Sequence, residues 1–174
     1  IEVMAGLVRR QVADREDLRG LLADIISEAK MANAIVVEVL EFVRPIRLQM
    51  DRTSILKVVE DAIPLAERKF PRGGARIDVS VPDGLPAIQG DHHQLCQVVT
   101  NLLINALEAL AGRGAVRISA QVKPADMDGQ APELELVIAD DGPGIPGDIA
   151  DRVFNPFFTT KPQGSGLGLA IVRK

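Results

Sequence analysis

The chain has 174 residues, 47% of them hydrophobic, enough for one ordinary domain plus a helical appendage and too many for disorder. A formal net charge of -4 with neither Trp nor Tyr argues against nucleic acid, whose binders carry basic patches and stacking aromatics. No apolar run approaches the roughly 20 residues of a membrane span, and the single cysteine excludes a disulfide framework within the chain and fits a reducing cytoplasm.

Ile1, Met4, Val8 and Val12 form a short helical stripe, after which Asp14 or Asp17 can cap a second helix. In that helix Leu18, Leu22, Ile25, Ala29, Ala32, Val36, Val39 and Val43 recur at alternating spacings of four and three, as bundle seams require. Leu21, Ile26, Ile35 and Leu40 widen the stripe, which suits a four-helix bundle better than a two-stranded coil. Pro45 ends it. Residues 1–44 therefore predict a helical hairpin. One hairpin cannot bury both stripes and two from a symmetric dimer can, so half of a dimeric bundle is expected; packing against the rest of the same chain is the alternative.

From Ile46 the apolar period changes to two, with Ile46, Leu48 and Met50 predicting a half-buried strand. Thr53 or Ser54 caps a helix running to about Phe70, and Pro71-Arg72-Gly73-Gly74 breaks it. Ile77, Val79 and Val81 predict a strand, Pro82-Asp83-Gly84 a turn, and Ala87-Ile88 a short strand before Asp91 caps the next helix. Val116 to Val122 and Leu134 to Ile138 alternate again around a hairpin loop at 124–132. The fold class is α+β, with the hairpin followed by a two-layer sandwich whose mixed sheet is covered on one face.

In the helix over 91–111, Leu95, Val98, Val99, Leu102, Leu103, Ala106, Leu107 and Leu110 share one broad face. Gln94, Gln97, Asn101, Asn105 and Glu108 make a narrow polar stripe, which for the glutamines and the glutamate reads as solvated surface. Two asparagines one turn apart are less ordinary, because asparagine is a poor helix former and its carboxamide oxygen suits a hard cation or polar ligand. Cys96 reads as a small apolar residue with no basic residue patterned around it, and His92 and His93 as first-turn surface.

Asp140 shares parity with Leu134, Leu136 and Ile138 and so points to the covered face, where a carboxylate needs hydrogen-bond partners. An adenine amino group would serve, and Gly142 and Gly144 would let a flat ligand approach the backbone. Asp141 reads as a turn aspartate capping its own loop. Gly164-Ser165-Gly166-Leu167-Gly168 opens the last helix, where unpaired N–H groups attract phosphate, and Lys161 adds a positive charge just before it. No Gly-Lys-Ser/Thr follows these glycines, so this is not a Walker A loop. Between the clusters, Phe154, Phe157 and Phe158 read either as anchors of a lid over nucleotide or as core residues; both readings stand.

These segments, in this order, resemble the boxes of bacterial two-component sensor histidine kinases. Residues 101–108 resemble the N box, 140–144 the first glycine box, 154–161 the F box and 164–169 the second glycine box. The hairpin resembles the dimerisation and histidine-phosphotransfer domain, and Phe157-Phe158-Thr159-Thr160-Lys161 is similar to the nitrogen-regulation branch. The resemblance implies the histidine-kinase/gyrase ATPase fold over 46–174 and binding of ATP with Mg2+. It implies Asn105 as the magnesium ligand with Asn101 beside it, both in the catalytic centre, and Asp140 as the adenine reader. It also implies Gly142 and Gly144 shaping the pocket, and Thr160, Lys161, Gly164, Ser165, Gly166, Leu167 and Gly168 around the phosphates.

The implied partners are a second copy, through the hairpin, and a response regulator receiver domain, in the cytoplasm and without membrane contact by these residues. The family's phosphoacceptor histidine has no counterpart in residues 1–17, and closing strands after the last helix are missing, so a core cut from a longer protein is expected. The leading function is ATP-dependent histidine phosphorylation followed by transfer to an aspartate. An ATP-hydrolysing clamp similar to gyrase would need a glutamate one turn before the magnesium asparagine, where Asn101 stands. A nucleotide-binding or dimerisation module without catalysis is the other alternative, and a serine kinase of the anti-sigma type fits the long hairpin poorly.

Overall fold

The computed structural model describes residue 8 and residues 16–45, 47–124, 132–161 and 164–173. The chain forms two compact units, residues 1–45 with 157–167 and residues 46–156 with 168–174.

In the first unit α1 (Glu16–Val43) runs 28 residues and stops before Pro45, as the pre-proline restriction predicts. Its widened stripe stays partly uncovered: Leu21, Ile25, Val36, Leu40 and Val43 are exposed. The first helical stripe lies outside the described residues except for Val8, which is helical.

The second unit comprises β1 (Asp51–Thr53), α2 (Ile55–Lys69), β2 (Arg76–Ser80), β3 (Ile88–Gly90), α3 (His92–Leu110), β4 (Ala115–Lys123) and β5 (Glu133–Asp140). A 3-10 turn (Ala150–Arg152) and α4 (Gly168–Arg173) follow. β2 runs parallel to β4, and β4 antiparallel to β5, so the main sheet is mixed, with β4 in the centre. The hairpin loop expected at 124–132 falls mostly outside the described residues, and the β4–β5 pairing brackets it.

The helical layer forms because α2 and α3 each repeat an apolar residue every three or four positions. Ile55, Val58, Val59, Ala62 and Ala66 of α2 meet Val99, Leu103, Ala106, Leu107 and Leu110 of α3, over Val116 and Ile118 of β4. Burying a side chain such as Leu103 or Leu107 completely contributes about 1.5–3 kcal/mol. Ser54 caps α2 by accepting from the Lys57 N–H at 3.4 Å. Asp91 caps α3, with Oδ1 accepting from Gln94 N at 3.1 Å and Oδ2 from Gln49 N at 2.8 Å.

One expectation fails. Residues 47–50 form no strand, and Leu48 and Met50 are 57% and 54% exposed. Strand pairing begins only at Asp51, opposite Gly90, where β3 ends. The next residue, Asp91, has already turned to cap α3, and Gln49 bonds that carboxylate instead of a ladder partner. Alternation alone cannot make a strand without a neighbour.

Candidate functional site

α3 carries Asn101 and Asn105 on a side that is half-buried along Gln94, Gln97 and Glu108 as well, so the polar stripe is not the solvated surface expected for its flanks. Asn101 Nδ2 donates to the Gly168 carbonyl at 3.3 Å, tying α3 to the first residue of α4. Such a bond contributes about 0.5–1.5 kcal/mol and fixes the carboxamide's orientation.

β5 delivers Asp140 to the end of the sheet. Its register partner is Val116, a fully buried residue, so it lies on the covered face as its parity predicts. The covering stops there, however, and Asp140 is exposed, a correction to the expected burial. Its Oδ1 accepts from Gly142 N at 2.8 Å. A Cβ at Gly142 would stand 2.5 Å from that oxygen and 3.0 Å from Ala109 Cβ. Only glycine lets this loop close on α3, one turn beyond Asn105. Asp140, Gly142 and the asparagine stripe are thereby brought to one end of the second unit. Gly144, with φ at 76°, leaves open space where a side chain would be.

Asp141 does not cap its own loop. Its Oδ1 accepts from Arg117 at 2.6 Å and its Oδ2 from the Ala115 N–H at 3.0 Å, which pins the loop to β4. The Arg117 guanidinium, then the Ala115 N–H, hold the Asp141 carboxyl below the usual carboxylate range. A depressed folded-state pKa adds stability that is complete above the unfolded value and fades as pH falls through the folded one. Asp141→Asn should therefore lower stability at neutral pH, and its denaturation midpoint should fall less than the parent's between about pH 5 and pH 2. Parallel denaturant titrations across that range check this.

In the first unit, residues 157–161 and 164–167 belong to the loops resembling the F box and second glycine box. Phe157 holds a positive φ of 66°, a strained conformation for a bulky residue, while its N–H donates to the Gly166 carbonyl at 3.1 Å. Gly166 has φ at 71°, and a Cβ there would meet Phe157 C at 2.5 Å and Phe158 N and O at 2.7 Å. Thr159 Oγ1 accepts from Lys161 N at 3.0 Å, and Gly164 N donates to the Lys161 carbonyl at 3.2 Å, while Thr160 and Lys161 are exposed. Ser165 Oγ accepts from Leu167 N at 3.2 Å and donates to the Glu38 carboxylate of α1, a contact the sequence did not disclose. Leu167 itself is fully buried. Phe154 and Phe157 are exposed and Phe158 half-buried, so none of the three belongs to the core.

An apolar cavity of ≈ 540 Å³ lies between α2, α3 and β5, lined by Val98, Leu102 and Leu136 among others. None of the candidate polar residues lines it.

Residues 90–174 match the family described as histidine kinase-, DNA gyrase B- and HSP90-like ATPase. Over 152 residues the chain is 32% identical to the sensor histidine kinase ZraS of Escherichia coli (strain K12), covering 87% of this chain and 31% of that protein. It is 35% identical over 181 aligned residues to the sensory histidine kinase/phosphatase NtrB of Rhizobium leguminosarum bv. phaseoli, covering 98% of this chain and 46% of that one. The chain thus spans less than half the length of either relative. The solved structure of a mycobacterial sensor histidine kinase, MprB, superposes with a TM-score of 0.58 at 32% identity, covering 71% of this chain and 76% of that chain. Four motif boxes in fixed order, the sandwich that presents them and these likenesses agree: the chain belongs to the two-component sensor histidine kinases, of which it carries the histidine kinase-like ATPase domain.

Proposed function

We propose that the chain binds ATP with magnesium and directs the γ-phosphoryl group to a histidine, from which an aspartate of a response regulator receives it. The observation that carries this reading is the Asp140–Gly142 turn seated against Ala109, one helical turn beyond Asn105. An adenine reader and a hard oxygen donor then stand on adjoining elements of one unit. The donor chemistry fits magnesium, since a carboxamide oxygen is a hard ligand. When bound, that ion would neutralise phosphate charge during transfer.

Asn105 would hold the ion, and Asn101, fixed through Gly168, keeps the stripe in register. Asp140 accepts from the adenine amino group, Gly142 and Gly144 leave room for the base, and Lys161 supplies charge to the phosphates. Thr160 and the 164–168 loop contribute hydroxyl and backbone N–H donors to the phosphates, and the exposed Phe154 and Phe157 close over the nucleotide. Residues 1–44 are proposed as the dimerisation and phosphotransfer segment and 46–174 as the catalytic one, acting in the cytoplasm. The exposed apolar stripe of α1 supports pairing with a second copy.

The two histidines of the sequence, His92 and His93, both open α3 rather than the hairpin. With labelled ATP and magnesium the chain is therefore expected to carry no acid-labile, base-stable phosphate itself, and to label a histidine-bearing dimerisation hairpin supplied separately. Label on the chain that disappears with His92 and His93 replaced would contradict that placement. Nucleotide binding without label on the supplied hairpin would favour a module without kinase activity.

A further inference from the structure

A second cluster of chemistry-bearing side chains lies apart from the nucleotide residues. His92 and Cys96 are four positions apart on α3 and so share a face. Asp61 reaches the same point from α2. His92 Nε2 stands 3.1 Å from Asp61 Oδ2 and 3.4 Å from Cys96 Sγ, and the three ligand atoms all lie within 4.8 Å of one another. From sequence Cys96 reads as a small apolar residue with no basic residue patterned around it, and Asp61, 35 positions earlier, gives no local signal.

We propose that Asp61, His92 and Cys96 form a binding site for a thiophilic divalent cation of the zinc class, with water in the fourth position. A tetrahedral ion with bonds of about 2.0 Å to nitrogen and oxygen and about 2.3 Å to sulfur sets N···O near about 3.3 Å and N···S near about 3.5 Å. The two separations from His92 Nε2 are within a few tenths of an ångström of those values, and the Asp61 carboxylate and Cys96 sulfur, within 4.8 Å of each other, would close on the ion by side-chain rotation. Asp61 is also held from behind: Lys57 Nζ donates to Oδ1 at 2.8 Å, leaving Oδ2 to face the imidazole. That is the arrangement of an outer partner orienting a ligand.

Cys96 is 5% exposed, whereas the side chains of His92 and Asp61 are 42% and 40% exposed, which gives an entry path and room for a water. Binding converts the Cys96 thiol, which otherwise donates to the Val58 carbonyl at 3.5 Å, into a thiolate and releases its proton to solvent. A sulfur-containing ligand set selects zinc-class ions over magnesium. Asn105 is nine residues further along the same helix, about 14 Å away at the helical rise, so the site is separate from the proposed magnesium ligand. Its occupancy would pin α2 to the start of the helix that carries both asparagines.

The test is titration of the chain with Co2+ as a spectroscopic probe, followed by displacement with Zn2+. The expected result is one equivalent bound with a thiolate-to-cobalt charge-transfer band, abolished in Cys96→Ser and bleached by Zn2+. Affinity should fall by about tenfold or more in His92→Gln and Asp61→Asn, as losing a metal's supporting groups commonly costs. These two replacements are of half-exposed residues, so they report even if Cys96→Ser fails to fold. His93→Gln should bind as the parent does. No charge-transfer band in the parent, or unchanged affinity in both His92→Gln and Asp61→Asn, overturns the proposal.

Discussion

Gly166→Ala should reduce ATP affinity by tenfold or more while leaving the sandwich folded. The backbone there is left-handed, with φ at 71°, and holding an alanine in it costs on the order of 1–2 kcal/mol. The added methyl would also stand 2.5–2.7 Å from backbone atoms of Phe157 and Phe158, which no side-chain rotation relieves. The loop must open, breaking the Phe157 N–H to Gly166 carbonyl bond that joins the two boxes. Gly84→Ala is the control: its φ is not positive, nothing lies within 4 Å of its Cβ position, and it sits in the turn after β2, outside the proposed nucleotide residues. Nucleotide titration and thermal melting of both variants check the claim. Parental ATP affinity in Gly166→Ala would show that this loop does not hold phosphate.

Asp140→Asn should weaken ATP binding by roughly tenfold to a hundredfold, the equivalent of losing a charge-assisted hydrogen bond of about 1.5–3 kcal/mol. The structure sharpens the reason. Asp140 Oδ1 is engaged by the Gly142 N–H, and an asparagine would keep its carbonyl oxygen there. Its amide NH2 would then face the adenine amino group, donor against donor. The fold itself should not suffer, because the residue is exposed at the end of the sheet. Competition of ATP against GTP reads the specificity directly. A variant that keeps the parental preference would remove Asp140 from base recognition.

What could be read from the sequence was what local chemistry determines. Ser54 and Asp91 announced their helices because a short oxygen-bearing side chain before an apolar repeat has few other uses. The α3 faces followed from the 3.6-residue period, and the parity of β5 placed Asp140 on the covered side. The errors came where distant residues decide. The alternation at 47–50 lacks a ladder partner because Gly90 and Asp91, some forty positions later, end β3 and turn into α3. Asp141 was misread because Arg117 and Ala115, on β4, claim its carboxylate. The burial of Asp140 failed because parity gives the face of a sheet and not where its covering layer stops. Pro64 sits inside α2, leaving out one backbone donor without ending the helix, which the buried Ala62 and Ala66 on either side hold in place. The Glu38–Ser165 contact joins residues more than a hundred positions apart and has no local signal.

The most direct measurement is calorimetric titration of the chain with ATP, with and without magnesium, alongside Asn105→Ala. The account predicts ATP binding that magnesium strengthens in the parent, and a variant that stays folded and loses most of that strengthening. The Asn105 carboxamide is half-buried on the α3 stripe, one turn before Ala109, which meets the Asp140–Gly142 turn. No ATP binding by the folded parent, or identical magnesium dependence in parent and Asn105→Ala, would contradict it.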